Sequence, residues 1–402
     1  MPLDVAALRS HFPSLTSGIA HFDGPGGTQT PTEVGDAIVS TLTGPLSNRG
    51  ASVASERNAE DTITGFRSAM ADLLGASPEG IVYGRSATQL TYDFSRTLAK
   101  GWGPGDEVVV TELDHDCNVR PWVQAAAAVG ATVRWLRIDP TTAELDLHEL
   151  DEVITERTRL VAVTGASNLV GTTPPVARIA ERAHAVGALV HVDGVHLTAH
   201  AAVDVKALGA DLYVCSPYKF FGPHCAALAA DPALLEGLRP DKLLPSSDAV
   251  PERFELGTLP YELMAGGTAA VDFIADLAPA GGERRGRLIA AHDLVHEHEL
   301  RLRTRIEDGL ADRGEHVVLH SRAADRTPTL FFTLSHKDAR AASAFLAERD
   351  VLAPAGSFYA HEPFRALGLD VDAGVRVGVA PYTADSDVDR LLTGLTDFFA
   401  AP

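Results

Sequence analysis

Five short apolar runs in the middle of the chain alternate with helix-like segments, and this pattern limits the possible folds more than any other feature. The runs are rich in β-branched residues and too short for helices: 107–111, 132–138, 160–164, 188–192 and 211–215. Between the third and the fourth run, apolar residues recur at helical spacing over 176–186, and Gly187 follows. This alternation predicts an α/β protein with a mainly parallel sheet that is covered by helices on both faces.

The composition changes near residues 279–287, which are rich in proline, glycine and arginine. After this segment we predict a long, charged, amphipathic helix from about residue 288 to residue 310. Two strand-like runs follow at 329–334 and 375–379, and a final helix is predicted over 386–399. This order predicts a second, smaller α+β domain with its boundary near residue 280, and 402 residues suffice for two domains.

Charge and composition argue against several classes of partner. The formal net charge of −20 would repel a phosphate-rich polymer, so we expect no nucleic-acid partner. No apolar run approaches the roughly 20 residues that span a bilayer, so we expect no membrane partner. The first residues lack the basic and apolar regions of a secretory signal, which predicts a cytoplasmic protein. The three cysteines show no metal-ligand spacing and argue against a disulfide framework.

Two charged residues follow predicted strands at the edge of the sheet where ligands bind. Asp193 comes directly after the run 188–192, and Lys219 lies four residues beyond the run 211–215. A partly desolvated acid or lysine is costly when it is isolated. Pyridoxal phosphate (PLP) would use both, because its pyridinium nitrogen pairs with a carboxylate and its aldehyde condenses with a neutral lysine amine. An ordinary ion pair, or two solvated side chains, would also explain this spacing.

A possible phosphate site lies earlier in the chain. The segment 81–88 reads as a strand and a turn that lead into a helical stretch at 89–98. Ser86 and Thr88 would then lie with backbone N–H groups at a helix N-terminus, which is a natural site for an anion. Simple capping of a surface helix would produce the same pattern.

Three other motifs indicate different chemistry, and each lacks its companions. The glycine-rich segment 23–28 has neither dinucleotide-binding nor Walker A spacing. Ser216 and Lys219 have the S-x-x-K spacing of serine acyl-enzymes, without the other motifs of that class. His292, His296 and His298 could indicate a metal, since the first two are spaced for one helix face. The acidic residues around them, Asp293, Glu297 and Glu299, favour a solvated polar face over a metal site.

Several motifs, taken together and in order, resemble one family: the cysteine desulfurases, within the class V aminotransferase group of fold-type-I PLP enzymes. The similar segments are 21–28, 47–57, 111–122, 167–168, 192–194, 216–223 and 254–258. The resemblance runs from about residue 20 to residue 390. It implies a fold-type-I PLP transferase, with a large PLP-binding domain at 20–280 on a seven-stranded, mainly parallel sheet. The small α+β domain would comprise 1–19 and 281–402.

The resemblance implies a role in cofactor binding for each matching position. Lys219 would carry PLP and move the substrate protons, and His115 would stack on the ring as the second catalytic residue. The implied cofactor-binding residues are Asp193, Asn168, His196, Ala87, Thr88, Ser216, Tyr218 and Thr258. Thr258 would reach the phosphate of the neighbouring subunit, which implies a homodimer with active sites at the subunit interface.

The resemblance also implies an amino-acid substrate. Arg376 would hold the substrate carboxylate with the two-pronged hydrogen bonding that suits arginine. Arg49, which lies in the matching segment 47–57, is the second predicted substrate-binding residue. No metal ligand is implied.

Departures from the family pattern bear on the reaction. The family's glutamine is His196 here, and its histidine before the lysine is Tyr218. The family accepts sulfur on a cysteine of a C-terminal loop, but the matching stretch 353–361 has none. A buried packing role is predicted for the three cysteines, which are Cys117, Cys215 and Cys225.

The predicted reaction is therefore C–S bond cleavage of cysteine or a cysteine conjugate, with β-elimination to pyruvate in place of transfer to a loop cysteine. An aminotransferase or an amino-acid epimerase would use the same residues and is the alternative. A non-catalytic descendant is disfavoured, because the lysine, the aspartate and the arginine are all present. Substrate, product and any sulfur acceptor stay open at this stage.

Overall fold

The computed structural model describes residues 2–279, 281–369 and 371–401. The α-helices in these ranges are Val5–Arg9, Thr32–Thr43, Ala54–Leu74, Ala87–Ala99, Arg120–Val129, Leu150–Val153, Val176–Ala185, Pro232–Gly237, Tyr261–Ala275, Arg284–Ala311, Ala339–Ala347, His361–Ala366 and Asp385–Ala400. Several helices end on a left-handed glycine, and Gly75 and Gly130 are examples. None of the helices in the described ranges combines the length and the apolar character needed to cross a membrane.

Seven strands form the main sheet. Their order across it is Ile81–Gly84, Ala226–Ala230, Leu212–Cys215, Leu189–Asp193, Thr158–Thr164, Glu107–Thr111 and Thr132–Leu136. Neighbouring strands are parallel except where Ala226–Ala230 pairs antiparallel with both of its neighbours. The prediction of a mainly parallel sheet is confirmed. The sequence did not reveal Ala226–Ala230, because four of its five residues are alanine, which has little strand preference.

Alternate residues of the strands enter two separate hydrophobic cores, one on each face of the sheet. In Glu107–Thr111, Val109 packs in one core, while Val108 and Val110 pack in the other. Leu160 and Val161 divide between the two cores in the same way. Because both faces are buried, these strands read as continuous apolar runs, and this is why the sequence pattern was informative.

A smaller antiparallel sheet follows the long helix Arg284–Ala311. Its strand order is Val317–Leu319, Thr329–Leu334, Gly374–Gly378 and Ala355–Gly356. Its core includes Leu302 and Ile306 of the long helix. Two short two-stranded pairs complete the strands: Ala20–His21 with Val351–Leu352, and Ile138–Asp139 with Glu144–Leu145.

Residues near the N-terminus divide between the cores. Leu8 and Phe12 pack in a core of the main sheet, while Phe22 packs with the smaller sheet. The predicted domain limits, 20–280 against 1–19 and 281–402, stay a prediction.

The long helix corrects one expectation. A solvated polar face was predicted around His292 and His296. Asp293, His296 and Glu297 are exposed in agreement with this, but His292, His298 and Glu299 are buried. His292 contacts the carbonyl oxygens of Leu288 (2.8 Å) and Thr198 (3.3 Å) through its two ring nitrogens. His292 therefore packs against the turn Leu197–Ala199, which follows a strand of the main sheet, whereas His298 Nε2 contacts the carbonyl oxygen of Thr383 at 2.9 Å. Within the described ranges no cluster of three or more potential metal-ligating side chains occurs.

Candidate active site

A cavity of about 680 Å³ opens beyond the carboxyl ends of the parallel strands. Asp193 is the last residue of its strand, and Ser216 leads from the next strand into the short turn Pro217–Lys219. Ten of the twelve predicted site residues line this cavity: Lys219, His115, Asp193, Asn168, His196, Ala87, Thr88, Ser216, Tyr218 and Arg376. The parallel strands and the adjoining smaller sheet bring together side chains that are up to 289 positions apart, from Ala87 to Arg376.

Lys219 is buried at the floor of the cavity, with 9% of its surface exposed. Its Nζ donates a hydrogen bond to the carbonyl oxygen of Pro25. Burial, together with the nearby positive charge of Arg376, lowers the pKa of Lys219 to about 7, although Asp193 acts in the opposite direction. A large fraction of the amine is therefore neutral near pH 7, which is the form that acts as a nucleophile or a base.

The Asp193 carboxylate faces the same space and is nearly fully buried. One oxygen accepts a hydrogen bond from the backbone N–H of Val195 at 3.0 Å, and the other accepts one from the Cys117 thiol at 3.3 Å. The predicted packing role is therefore wrong for Cys117, which lines the cavity, whereas Cys215 and Cys225 do pack in the core. Burial and the Asp193 carboxylate raise the pKa of Cys117 well above its ordinary value, so this side chain is a neutral thiol.

His115 presents its ring beside these groups. It caps the short turn Asp116–Asn118, and its Nδ1 accepts a hydrogen bond from the backbone N–H of Cys117 at 3.0 Å. Nδ1 is thus the acceptor, and the proton of the neutral imidazole is on Nε2. Burial lowers the pKa of His115, which favours this neutral form.

A helix N-terminus closes one end of the cavity. Ser86 is the N-cap of Ala87–Ala99, and its hydroxyl accepts a hydrogen bond from the backbone N–H of Gln89 at 3.1 Å. The prediction of a capped helix start at this position is confirmed. The first N–H groups of a helix have no partner within the helix, so those of Ala87 and Thr88 are available to an anion.

Arg376 reaches the cavity from the strand Gly374–Gly378 of the smaller sheet and is 4% exposed. Its Nη1 donates to the carbonyl oxygen of Asn168 at 3.0 Å, and its guanidinium carbon lies 3.8 Å from the centre of the Phe358 ring. Burial lowers the pKa of Arg376 to about 9, which leaves it protonated at neutral pH. Among the described residues no carboxylate lies within 4.0 Å of this cation, and its Nε has no hydrogen-bond partner. A buried, unpaired cation of this kind is a site for an anionic group.

The two residues that depart from the family pattern differ in their surroundings. His196 is buried, and its Nε2 lies within hydrogen-bond distance of the hydroxyls of Thr327 (2.9 Å) and Thr329 (3.1 Å). Burial keeps the pKa of His196 well below its ordinary value, so the ring is neutral. Tyr218 stacks on His224 at 4.9 Å between ring centres, which fixes the tyrosine ring beside Lys219.

Thr258 and Arg49 do not join the cavity in this chain. Thr258 is exposed beside a separate surface cavity of about 280 Å³, which Gln89 also lines. Arg49 is exposed and forms ion pairs with Glu60 (2.9 Å) and Glu252 (3.2 Å), which raise its pKa. The structure therefore does not place Arg49 next to Lys219, and the role of Thr258 toward a second subunit stays a prediction.

Three aromatic residues of the cavity wall were not predicted from the sequence: Tyr92, Phe358 and Tyr359. Phe358 and Tyr359 both line it, and both have a left-handed backbone with φ of 55°. Asn168 Nδ2 donates to the carbonyl oxygen of Phe358 at 2.9 Å, and the N–H of Asp116 donates to that of Tyr359 at 2.8 Å. No local sequence signal predicts this conformation, because left-handed residues are usually glycine or asparagine.

Known proteins share this fold. A crystal structure of a cysteine desulfurase from Escherichia coli, in an S-sulfonic acid form, superposes with a TM-score of 0.86 at 26% identity, over 99% of this chain and 98% of that one. The fold is thus fold type I of the PLP-dependent enzymes. The family model of aminotransferase class V matches residues 20–391, and the chain belongs to this family of PLP-dependent enzymes.

Two curated relatives carry different descriptions. A cysteine desulfurase of Haloferax volcanii is 30% identical, and the match covers 98% of this chain and 96% of the relative. An aminotransferase-like protein of Gibberella zeae is also 30% identical, and the match covers 96% of both. The family is therefore established, while the substrate and the bond that is broken are matters for proposal.

Proposed function

We propose that this chain binds PLP through Lys219 and cleaves the C–S bond of cysteine or a cysteine conjugate by β-elimination. One observation supports this most strongly: a buried lysine with a pKa near 7 shares one cavity with a buried carboxylate and a buried, unpaired arginine. Each of these groups is costly to bury alone. The ring nitrogen of PLP would satisfy the carboxylate, and its aldehyde would react with the lysine. The carboxylate of an amino-acid substrate would satisfy the arginine.

The residues of the cavity fit PLP. Asp193 would pair with the ring nitrogen, His115 would lie against the ring face, and the helix start at Ala87 and Thr88 would hold the phosphate together with Ser216. The Asn168 side-chain oxygen is buried without a partner, which leaves it free for a polar group of the ring. A volume of about 680 Å³ lies within the range of cofactor and ligand sites. Bound PLP would supply an electron sink for the electrons released at the substrate α-carbon.

The protein groups define what happens to an amino acid. Arg376 would bind its carboxylate, which places the α-carbon between the arginine and Lys219. The neutral Lys219 amine would remove the α-proton, because its lowered pKa makes it an effective base near neutral pH. His196 would stay neutral and hydrogen-bonded to two hydroxyls. It would therefore help to position the bound cofactor and would not transfer protons.

Elimination accounts for the cysteine positions better than sulfur transfer does. The loop 353–361 contains no cysteine, and the Cys117 thiol is held protonated on Asp193. A thiolate is the form that accepts sulfur, so Cys117 is a poor acceptor. In the balanced reaction, a cysteine thioether and water give a free thiol, pyruvate and ammonium. The α-proton leaves to Lys219, and the electron pair of the C–S bond leaves with sulfur, which gains a proton.

Transamination is the second candidate, because a relative is described as aminotransferase-like and the same residues would serve. Epimerisation of an amino acid would also begin with removal of the α-proton by Lys219. We further propose a cytoplasmic homodimer in which Thr258 of one subunit reaches the phosphate site of the other. The exposed position of Thr258 beside Gln89, on the helix that begins at Ala87, supports this arrangement.

The cofactor proposal is tested by absorption and by mass spectrometry. Protein reconstituted with PLP should absorb in the visible range, and borohydride should abolish this band and leave a stable adduct on the Lys219 peptide. Lys219→Ala should lose both signals, whereas Lys206→Ala, which removes an exposed lysine, should keep them. A colourless reconstituted wild-type protein would contradict the proposal.

The reaction is tested by product analysis with cysteine and S-substituted cysteines. Elimination predicts equal amounts of thiol, or sulfide from cysteine, and pyruvate. Alanine with a persulfide would instead indicate desulfuration. Keto acid that forms only when an amino acceptor is present would indicate transamination.

A further inference from the structure

The segment Ser357 to Ala360 forms a tight turn that is fixed to the site at two points. The N–H of Ala360 donates to the carbonyl oxygen of Ser357 at 2.9 Å. Between them, the carbonyl oxygens of Phe358 and Tyr359 accept the hydrogen bonds from Asn168 and Asp116 that were described above. Two successive aromatic residues in left-handed conformations are unfavourable on their own, so this turn is held in place by its contacts with the cavity wall.

The turn places two aromatic rings at different depths. The Phe358 ring lies 3.8 Å from the guanidinium carbon of Arg376, where a substrate carboxylate would bind. The Tyr359 ring is 76% exposed, and its centre lies 5.6 Å from the centre of the His115 ring. Tyr92 and Pro121 line the same cavity. The cavity wall therefore has an aromatic ring beside Arg376, from Phe358, and a second, exposed ring from Tyr359, while the charged residues Asp116 and Arg120 also line the cavity.

An exposed tyrosine that is held in an unfavourable backbone conformation requires a reason. The side chain of free cysteine ends at its sulfur atom and does not need a wall of this extent. A substituent on the sulfur would extend from the α-carbon toward the mouth of the cavity, where a ring could pack against Tyr359.

We propose that Phe358 and Tyr359 select a cysteine conjugate with an aromatic group on sulfur, in preference to free cysteine. This inference rests on the proposed C–S lyase function of the same site. The reaction with an S-arylmethyl cysteine and water gives the arylmethyl thiol, pyruvate and ammonium. The Cα–H and Cβ–S bonds break, the sulfur leaves with the bonding electrons, and water supplies the oxygen of the keto group.

The probes are S-benzylcysteine, S-carboxymethylcysteine and cysteine, with the PLP-loaded full-length protein. We expect kcat/KM for S-benzylcysteine to exceed the values for the other two by at least tenfold. Tyr359→Ala should lower the ratio of kcat/KM for S-benzylcysteine to kcat/KM for cysteine by about fivefold to tenfold, because it removes one aromatic contact. Tyr359→Phe, which keeps the ring, should hold this ratio within about twofold. Leu244→Ala, which changes a 97% exposed residue elsewhere, controls for the handling of variants.

Binding is measured separately with α-methyl-S-benzylcysteine, which has no α-proton to lose. Its affinity, obtained by titrating the visible absorption, should fall by a similar factor in Tyr359→Ala. Elimination from cysteine that exceeds elimination from S-benzylcysteine, or a ratio that Tyr359→Ala leaves unchanged, would overturn the selection proposal alone. Absence of elimination with all three probes would instead refute the proposed function.

Discussion

Replacing Lys219 with methionine should stabilise the protein when PLP is removed, although it abolishes cofactor attachment. Lys219 is buried beside Arg376, and its pKa falls from 10.5 to about 7. At 1.36 kcal/mol for each pKa unit, this fall lowers the free energy of unfolding by roughly 5 kcal/mol at a pH where the amine is protonated in both the folded and the unfolded protein. Methionine fills a similar volume without a charge. The variant loses the hydrogen bond to Pro25, which offsets about 1–3 kcal/mol of this gain.

The sign of the pH dependence follows from proton uptake. Between about pH 7 and pH 10.5 the unfolded chain keeps a proton on Lys219 that the folded protein has released. The stability contribution of Lys219 therefore improves as the pH rises through this window. The loss of stability caused by burying the protonated Lys219 amine is largest below pH 7 and vanishes above pH 10.5. The advantage of Lys219→Met should accordingly shrink by up to about 1.4 kcal/mol for each pH unit within the window.

The assay is thermal unfolding of PLP-free wild type and Lys219→Met between pH 6.5 and pH 9.5. In a chain of this length, 1 kcal/mol corresponds to roughly 1 °C in Tm. We expect Lys219→Met to melt about 2–4 °C higher at pH 6.5 and to lose most of this advantage by pH 9.5. Lys206→Met, at an exposed lysine, should show no such trend. A difference between Lys219→Met and wild type that stays constant with pH would refute the assignment of a depressed pKa to Lys219.

Three further changes address the substrate, the sheet and the helix start. Arg376→Gln should raise KM for the amino acid by about a hundredfold, because it removes a buried cation that would bind the substrate carboxylate. The absorption of bound PLP should persist, and loss of PLP would contradict this role. Gly194→Ala places a Cβ atom 1.9 Å from the Tyr213 ring and should destabilise the protein by about 1–3 kcal/mol, measured as a lower Tm. An unchanged Tm would show that the ring can move. Ser86→Ala removes an N-cap, worth about 1 kcal/mol, and should lower Tm by roughly 1 °C. An unchanged Tm would contradict the capping role of Ser86.

Much of the fold was predictable because local sequence patterns and tertiary burial agree. Strands buried on both faces require continuous apolar runs, and the predicted run 107–111 matches the strand Glu107–Thr111. Ala226–Ala230 was not predictable, because its strand conformation depends on backbone pairing with two neighbours rather than on its own side chains. The burial of His292 was also hidden, because acidic neighbours along the helix conceal its inner face.

The sequence by itself determined which chemical groups are available: an aspartate at the end of an apolar strand, a lysine in the turn after the next one, a capped helix start, and an arginine in a late strand. Their order along the chain was enough to indicate the family. Only the tertiary structure decided which groups meet. It brought Arg376 and Lys219 to one cavity and left Arg49 outside it. It also placed the Cys117 thiol within hydrogen-bond distance of the Asp193 carboxylate. It also turned Phe358 and Tyr359 toward the cavity, because hydrogen bonds from distant residues stabilise a backbone conformation that these residues do not favour locally.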